Sequence, residues 1–276
     1  MRKIAVIAAG AMGSAVAQRL VSHGATVLTS LAGRSDATAH RAAEAGMTAA
    51  DDDAIAAAEV ILSIVSPAEA VALAERLAGA LARAPIKPIF ADCNAVNGTT
   101  VQRIAAVIAP TGAAFVDGGI IGLPPGPRAD PTLYLSGEPA ARLAFLGDLG
   151  LRIKVMAAPI GAASALKMSY AGINKGITLL AAAMVLGASR AGAAAALHAE
   201  LAENQPQLLA RLARAVPDMM PKVQRWGPEM EEIAAFLDGD PAAQGIFEGF
   251  AALCRRLADV SGDPQETAPL SSFFAL

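Results

Sequence analysis

From Lys3 to about Met156, short runs of aliphatic and β-branched residues alternate with longer, alanine-rich amphipathic segments. That alternation of a two-residue with a 3.6-residue period predicts strands joined through crossover helices, and hence a parallel sheet. The predicted strands are residues 4–8, 26–30, 60–64, 89–91, 114–116, 132–136 and 154–156. Runs such as VILSIV are apolar at every position, as strands covered by helices on both faces are. After residue 159 the strand signals stop, and helical segments follow with Pro- and Gly-containing breaks near 216–221, 227–228 and 238–241. The pattern therefore predicts an α/β protein: a doubly wound parallel sheet over residues 1–158, then an all-helical domain over residues 159–276.

The first strand runs straight into IAVIAAGAMGSAVAQRL, which sets Gly10 and Gly13 between a strand and the opening of a helix. In the dinucleotide fingerprint such glycines let the chain turn tightly, admit a pyrophosphate to backbone N–H groups and let helix and strand pack. Ala8 holds the first glycine place, giving A-x-G-x-x-G. Residues 1–158 are thus expected to be a Rossmann domain, with Gly10, Ala11, Met12 and Gly13 at the cofactor phosphates. At the end of the second strand, TSLAGRSDATAHR lacks the acid that binds a ribose 2′-OH and offers Arg34 and Ser35 instead. A guanidinium and a hydroxyl suit a 2′-phosphate, so NADP is expected, with NAD possible.

The segment PIGAASALKMSY places Lys167 in an otherwise small and apolar helix. At 100° per residue from Gly161, Ser164, Lys167, Tyr170, Asn174 and Thr178 share one sector, and Leu166, Ile173, Ile177 and Leu180 share another. A polar stripe between apolar flanks suits a cleft, where desolvation lowers a lysine's pKa toward the range useful for proton transfer. The same stripe also suits a lysine that reaches out to solvent, and periodicity does not choose between the two.

Composition narrows the classes. The 276 residues are 54% hydrophobic and carry a net charge of -3, with no basic cluster longer than a pair such as Arg255-Arg256, which argues against a nucleic-acid partner. Cys93 and Cys254 are far apart, His23, His40 and His198 are scattered, and no metal site is expected. The start resembles a signal peptide in its two leading cations, but glycines interrupt the apolar run and Arg19 follows. The uncharged stretch GITLLAAAMVLGAS of the second half is shorter than the ~20 residues of a membrane span. A soluble cytoplasmic protein with a small-molecule substrate is expected, with no membrane partner.

Three motifs in order resemble the β-hydroxyacid dehydrogenase superfamily, which includes 3-hydroxyisobutyrate dehydrogenase and 6-phosphogluconate dehydrogenase. The family's G-x-G-x-M-G loop is matched by AAGAMG, its D-x-P-V-S-G-G substrate segment by DGGIIGL, and its lysine helix by GAASALKMSYAGINK. The resemblance implies that Lys167 is the catalytic acid/base and that Ile121 and Gly122 border the substrate. It also implies that Ser66 in IVSPAEA and Asn94 in DCNAVNG touch the nicotinamide end, and that the protein is a homodimer. Where the family has a carboxylate-binding serine and asparagine, this chain has Ile121 and Ala171, and Tyr170 and Asn174 stand as replacements. QRWGPEMEEIAAFLD is similar to an uncharacterised phosphogluconate-dehydrogenase-like subgroup with its own helical C-terminal domain. The implied function is an NADP-preferring oxidoreductase passing a hydride between nicotinamide and a hydroxyl or carbonyl carbon. An imine reductase, an oxidative sugar-acid decarboxylase and a non-enzymatic NADP sensor are the alternatives.

Overall fold

The apolar runs form strands β1 (Lys3–Ile7), β2 (Thr26–Thr29), β3 (Thr48–Ala49), β4 (Val60–Ser63), β5 (Ile89–Asp92), β6 (Ala114–Ile121), β7 (Thr132–Ser136) and β8 (Arg152–Val155). The computed structural model describes residues 2–259 and 264–276. The strands make one sheet in the order β3-β2-β1-β4-β5-β6-β7-β8. Neighbours from β3 to β6 run parallel, β7 is antiparallel to β6, and β8 is parallel to β7. The reversal at β7 has a chain-length reason: the connection 122–131 is too short for the dozen or more residues of a parallel crossover. Strand β3 lies outside the expected set because both its residues are exposed and carry no apolar signal. Strand β6 runs five residues past the expected end, through Asp117 and the two glycines that follow it.

Helices α1 (Ala11–Ser22), α2 (Asp36–Glu44), α3 (Asp52–Ala56), α4 (Pro67–Arg83) and α5 (Gly98–Ile108) complete the wound layers, and α6 (Ala162–Arg190) follows β8. Ile4 and Val6 go to one face of the sheet, with Leu20, Val27 and Leu62. Ala5 and Ile7 go to the other, with Ile61, Leu77, Phe90 and Ile104. Each fully buried aliphatic side chain contributes about 1.5–3 kcal/mol, so both apolar faces are needed to hold the layers. Ser35, Asp51 and Asn97 cap α2, α3 and α5 by accepting backbone N–H bonds.

The chain divides into two compact units, Met1–Lys167 and Met168–Leu276. The second holds the rest of α6 with α7 (Ala194–Asn204), α8 (Pro206–Met219), α9 (Val223–Phe236), α10 (Pro241–Asp259) and α11 (Pro264–Phe273). Helix α9 packs along α10, and α11 lies on α7 and α8. A side chain at Gly172 would meet Phe247 at 3.2 Å, so glycine lets α10 approach α6. Lys175 of α6 pairs with Glu229, its ammonium 5.1 Å from the Trp226 ring centre. The break expected at Gly227-Pro228 is absent: α9 runs through, with Pro228 on its exposed side. Among the described residues α6 alone is long and apolar enough to cross a membrane. It also carries Lys167 and Lys175 and buries Ala163, Met168, Leu179, Ala182, Val185 and Leu186, as a core helix does.

Candidate functional site

The strand order reverses between β1 and β4, and in open α/β sheets ligands bind outside the carboxyl ends of the strands at such a switch. The glycine loop lies there. A Cβ built on Gly13 would sit 1.8 Å from the carbonyl oxygen of Ala8, so this glycine serves the packing of α1 on β1. A Cβ on Gly10 would meet nothing within 4 Å, which leaves open space before the first turn of α1. The first-turn N–H groups have no partner inside a helix and suit a pyrophosphate. Met12 packs on the core below them. From α2, Arg41 donates to the carbonyl oxygen of Ala9 at 3.1 Å and to Thr38 Oγ1 at 3.0 Å. That brace has no signature in the sequence, since Arg41 lies 32 residues from the carbonyl it holds.

Beyond β2, Arg34 forms a 3.0 Å ion pair with Glu69 of α4. The Ser66 hydroxyl donates to the other oxygen of Glu69 at 2.9 Å. Chiefly through the Ser66 bond, and then through Arg34, the Glu69 carboxyl is held below the usual range. Ser35 is turned to the N-terminus of α2, where it accepts from the Thr38 N–H. The acid missing from the end of β2 is thus present in space, delivered by another helix.

At the carboxyl ends of β4 and β5, beside the middle of β6, lies a buried polar cluster. Asp92 is fully buried, and its Oδ1 accepts from the Asn94 amide. Asn94 also donates to Ser63 Oγ at 2.8 Å and accepts from the Val65 N–H at 2.7 Å, so its amide is engaged within the protein. Asp117, register partner of Asp92, receives Ser136 Oγ, the N–H groups of Gly161, Ala163 and Ser164, and Ser164 Oγ at 2.6–3.1 Å. It caps the start of α6, where a carboxylate is favoured by the unpaired N–H groups and the helix dipole. Gly119 lets that helix close in: its Cβ would stand 2.6 Å from the Ala163 carbonyl oxygen and 3.4 Å from Lys167 Cβ.

Lys167, one turn into α6, is half-buried. Burial lowers its pKa below the ordinary lysine value, against the opposing pull of Cys93, Asp92 and Asp117. Burial pushes the Cys93 thiol far above its usual range, so it carries no charge near neutrality. Asp92 is raised to about 7, by burial first and then by Asp117. The arrangement sets an amine of lowered pKa near two buried carboxylates on the adjacent strands β5 and β6.

The polar stripe of α6 divides. Ser164 is buried on Asp117, and Thr178 is buried and donates to the Asn174 carbonyl. In the second unit, Asn174 bonds the Tyr170 carbonyl and Arg211, while Tyr170 is 53% exposed. Ile121 is half-buried at the end of β6, and Gly122 has a φ of 130° and lies against Pro131. Ile120, the residue before Ile121, is buried in the core. The unforeseen members are Asp92, Ser136 and Glu69, while Asp117 entered only as the head of the DGGIIGL segment; an acid closing an apolar run, as in FADCN and FVDGG, was the available signal for the two aspartates.

Residues 3–145 match the family described as the NAD binding domain of 6-phosphogluconate dehydrogenase, and residues 188–257 match a domain of unknown function (DUF1932). No curated protein sequence matches the chain. Among solved structures, a conserved protein of unknown function, described as structurally similar to 3-hydroxyacid dehydrogenases, is 27% identical. That match covers 93% of this chain and 99% of the other, with a TM-score of 0.73. A conserved hypothetical protein from Sinorhizobium meliloti is 25% identical over 99% of this chain and 97% of its own, with a TM-score of 0.76. A 3-hydroxyisobutyrate dehydrogenase from Mycobacterium tuberculosis shares the fold at 16% identity over 100% and 98% of the two chains, with a TM-score of 0.65.

Proposed function

The chain belongs to the family of the NAD binding domain of 6-phosphogluconate dehydrogenase, within the β-hydroxyacid dehydrogenase superfamily. On that premise we propose an NADP-preferring oxidoreductase that moves a hydride between nicotinamide and the hydroxyl or carbonyl carbon of a small molecule, with Lys167 as general acid/base. The observation that carries this reading is the anchoring of Lys167. Its helix is capped by Asp117 and drawn onto the strand ends at Gly119. Among the described residues it forms no salt bridge, whereas Lys175, eight positions on, is tied to Glu229.

The nicotinamide, when bound, supplies or accepts the hydride; the chain's residues do the rest. The first-turn N–H groups from Gly10 to Gly13 hold the pyrophosphate. Arg34 and Ser35 take the 2′-phosphate, Arg34 exchanging Glu69 for the phosphate oxygens. Asn94 borders the nicotinamide end, Ile121 and Gly122 border the substrate, and Ser66, expected at the nicotinamide end, stands instead with Glu69 beside Arg34. In reduction the Lys167 ammonium gives a proton to the carbonyl oxygen; in oxidation the neutral amine takes the hydroxyl proton. Its lowered pKa serves both directions, since a proton-transfer group works best near the operating pH. The protein acts as a soluble cytoplasmic homodimer, the second copy covering the exposed apolar face of α6.

The test is nicotinamide fluorescence on titration with NADPH and NADH, followed by a screen of hydroxy acids, ketones and imines read by nicotinamide absorbance. Lys167→Ala is expected to keep NADPH binding and lose about 10²–10⁴-fold in turnover. Failure of both nucleotides to bind sinks the reading.

A further inference from the structure

Two buried carboxylates stand side by side at the end of the sheet, and their surroundings differ. Asp92 and Asp117 are register partners on the parallel strands β5 and β6, so their side chains leave the same face, and both are fully buried. Five donors converge on Asp117, an arrangement that an acceptor-only carboxylate satisfies. Asp92 receives the Asn94 amide on Oδ1, while its Oδ2 is buried with no hydrogen-bond partner. An ionised oxygen in that position is costly unless a positive charge faces it.

Among the described residues, the cation whose charge acts on Asp92 is Lys167. Gly119, two residues beyond Asp117 and therefore on the same face of β6, brings the Lys167 turn of α6 onto the strand ends. The other groups facing this amine are Cys93, which burial keeps as a thiol, and Asp117, whose oxygens are already engaged with the start of α6. Ser63 and Asn94, the remaining neighbours of Asp92, are uncharged. Among the described residues, Asp92 combines full burial and an unpartnered oxygen with a charge interaction with the lysine.

We propose that Asp92 is a positioning residue for Lys167: its buried carboxylate is the counter-charge that keeps the lysine protonated against its own burial. The two groups take up and release protons as one unit, each responding to the other's charge. With Asp92 ionised, Lys167 is loaded to protonate a carbonyl oxygen; as Asp92 takes up a proton, the hold on the lysine's proton weakens. The inference rests on the reading of Lys167 as the acid/base of the reaction.

The test needs no substrate. Acetic anhydride attacks only the free amine, so the pH midpoint of Lys167 acetylation, read by mass spectrometry with exposed Lys222 as internal standard, reports its protonation. In Asp92→Asn the midpoint is expected to fall by about one pH unit or more, the effect of losing an opposite charge nearby. By linkage the reverse must also hold. In Lys167→Met, the infrared carbonyl band of protonated Asp92, identified by its loss in Asp92→Asn, should persist to higher pH. An unchanged acetylation midpoint in a folded Asp92→Asn protein overturns the proposal; should that variant not fold, the pH range of the carboxyl band in Lys167→Met against wild type decides alone. Undiminished turnover in Lys167→Ala would instead overturn the acid/base reading, and the measured coupling would stand apart from it.

Discussion

The Ser164 hydroxyl donates a 2.6 Å hydrogen bond to Oδ1 of Asp117, tying the first turn of α6 to the middle of β6. Lys167 is three residues further on, so the bond that fixes Ser164 also fixes where the lysine's turn begins. A buried hydrogen bond to a charged group contributes about 1.5–3 kcal/mol. Ser164→Ala is therefore expected to destabilise the protein by about that amount in urea unfolding, and to lower turnover more than NADPH affinity. Equal losses in binding and turnover would show that the cap serves the fold alone.

Gly119→Ala probes the same junction by steric means. The added Cβ would fall 2.6 Å from the Ala163 carbonyl oxygen, which is backbone and yields only if α6 moves. Overpacking of this kind costs about 1–3 kcal/mol. The expected result is a lower unfolding midpoint and a displaced Lys167, seen as reduced turnover with NADPH affinity kept.

Asp92 makes the stability of the fold depend on pH with a definite sign. Its folded-state pKa is raised from 3.8 to about 7, so the folded protein binds the proton more tightly than the unfolded chain. The stabilisation is complete below the unfolded value and is lost as pH rises through about 7. A rise of that size corresponds to an effect on the order of a few kcal/mol. Urea unfolding at pH 5 and pH 8 should show wild type losing stability across that interval relative to Asp92→Asn, and parallel behaviour of the two proteins would contradict it.

The sheet was legible because its strands are continuous apolar runs, and the glycine loop because Gly10 and Gly13 follow the first of them. Strand direction was not: Thr132–Ser136 reads the same whether parallel or antiparallel, and only the short connection before it carries the answer. Lys167 was visible as a cation on an apolar helix, but the groups that govern it were hidden by sequence distance. Asp92 lies 75 positions before it and Asp117 lies 50 before it, and they come near it because the end of β5, the middle of β6 and the start of α6 lie together. Glu69 was missed for the same reason, being brought to Arg34 from α4.

That Arg34–Glu69 pair sets up a prediction on cofactor choice. Glu69 competes with a 2′-phosphate for the guanidinium and is itself an acceptor suited to a ribose hydroxyl. Arg34→Ala should weaken NADPH binding by about 10-fold or more while leaving NADH within a few-fold, as expected for losing a charge-assisted contact. Glu69→Gln should move preference the opposite way, with NADPH tighter and NADH weaker, measured by fluorescence titration of each variant. NADPH affinity indifferent to Arg34 would remove the basis for NADP preference.

The exposed side of α6 yields the last prediction. Ile173, Leu180 and Met184 are 64%, 53% and 58% exposed, and with half-buried Ile177 they recur at spacings of four, three and four residues. That spacing lays them in one stripe along the helix, and a contiguous apolar stripe in contact with water marks a surface that another chain covers. A second copy is the economical occupant, because a two-fold axis lets the same stripe serve both sides. Light scattering should therefore give the mass of a dimer for wild type. Leu180→Glu, which sets two like charges against each other in that interface, should give the mass of a monomer with its helical signal retained. A wild-type protein that is monomeric at micromolar concentration would mean that the stripe is covered by something other than its own copy.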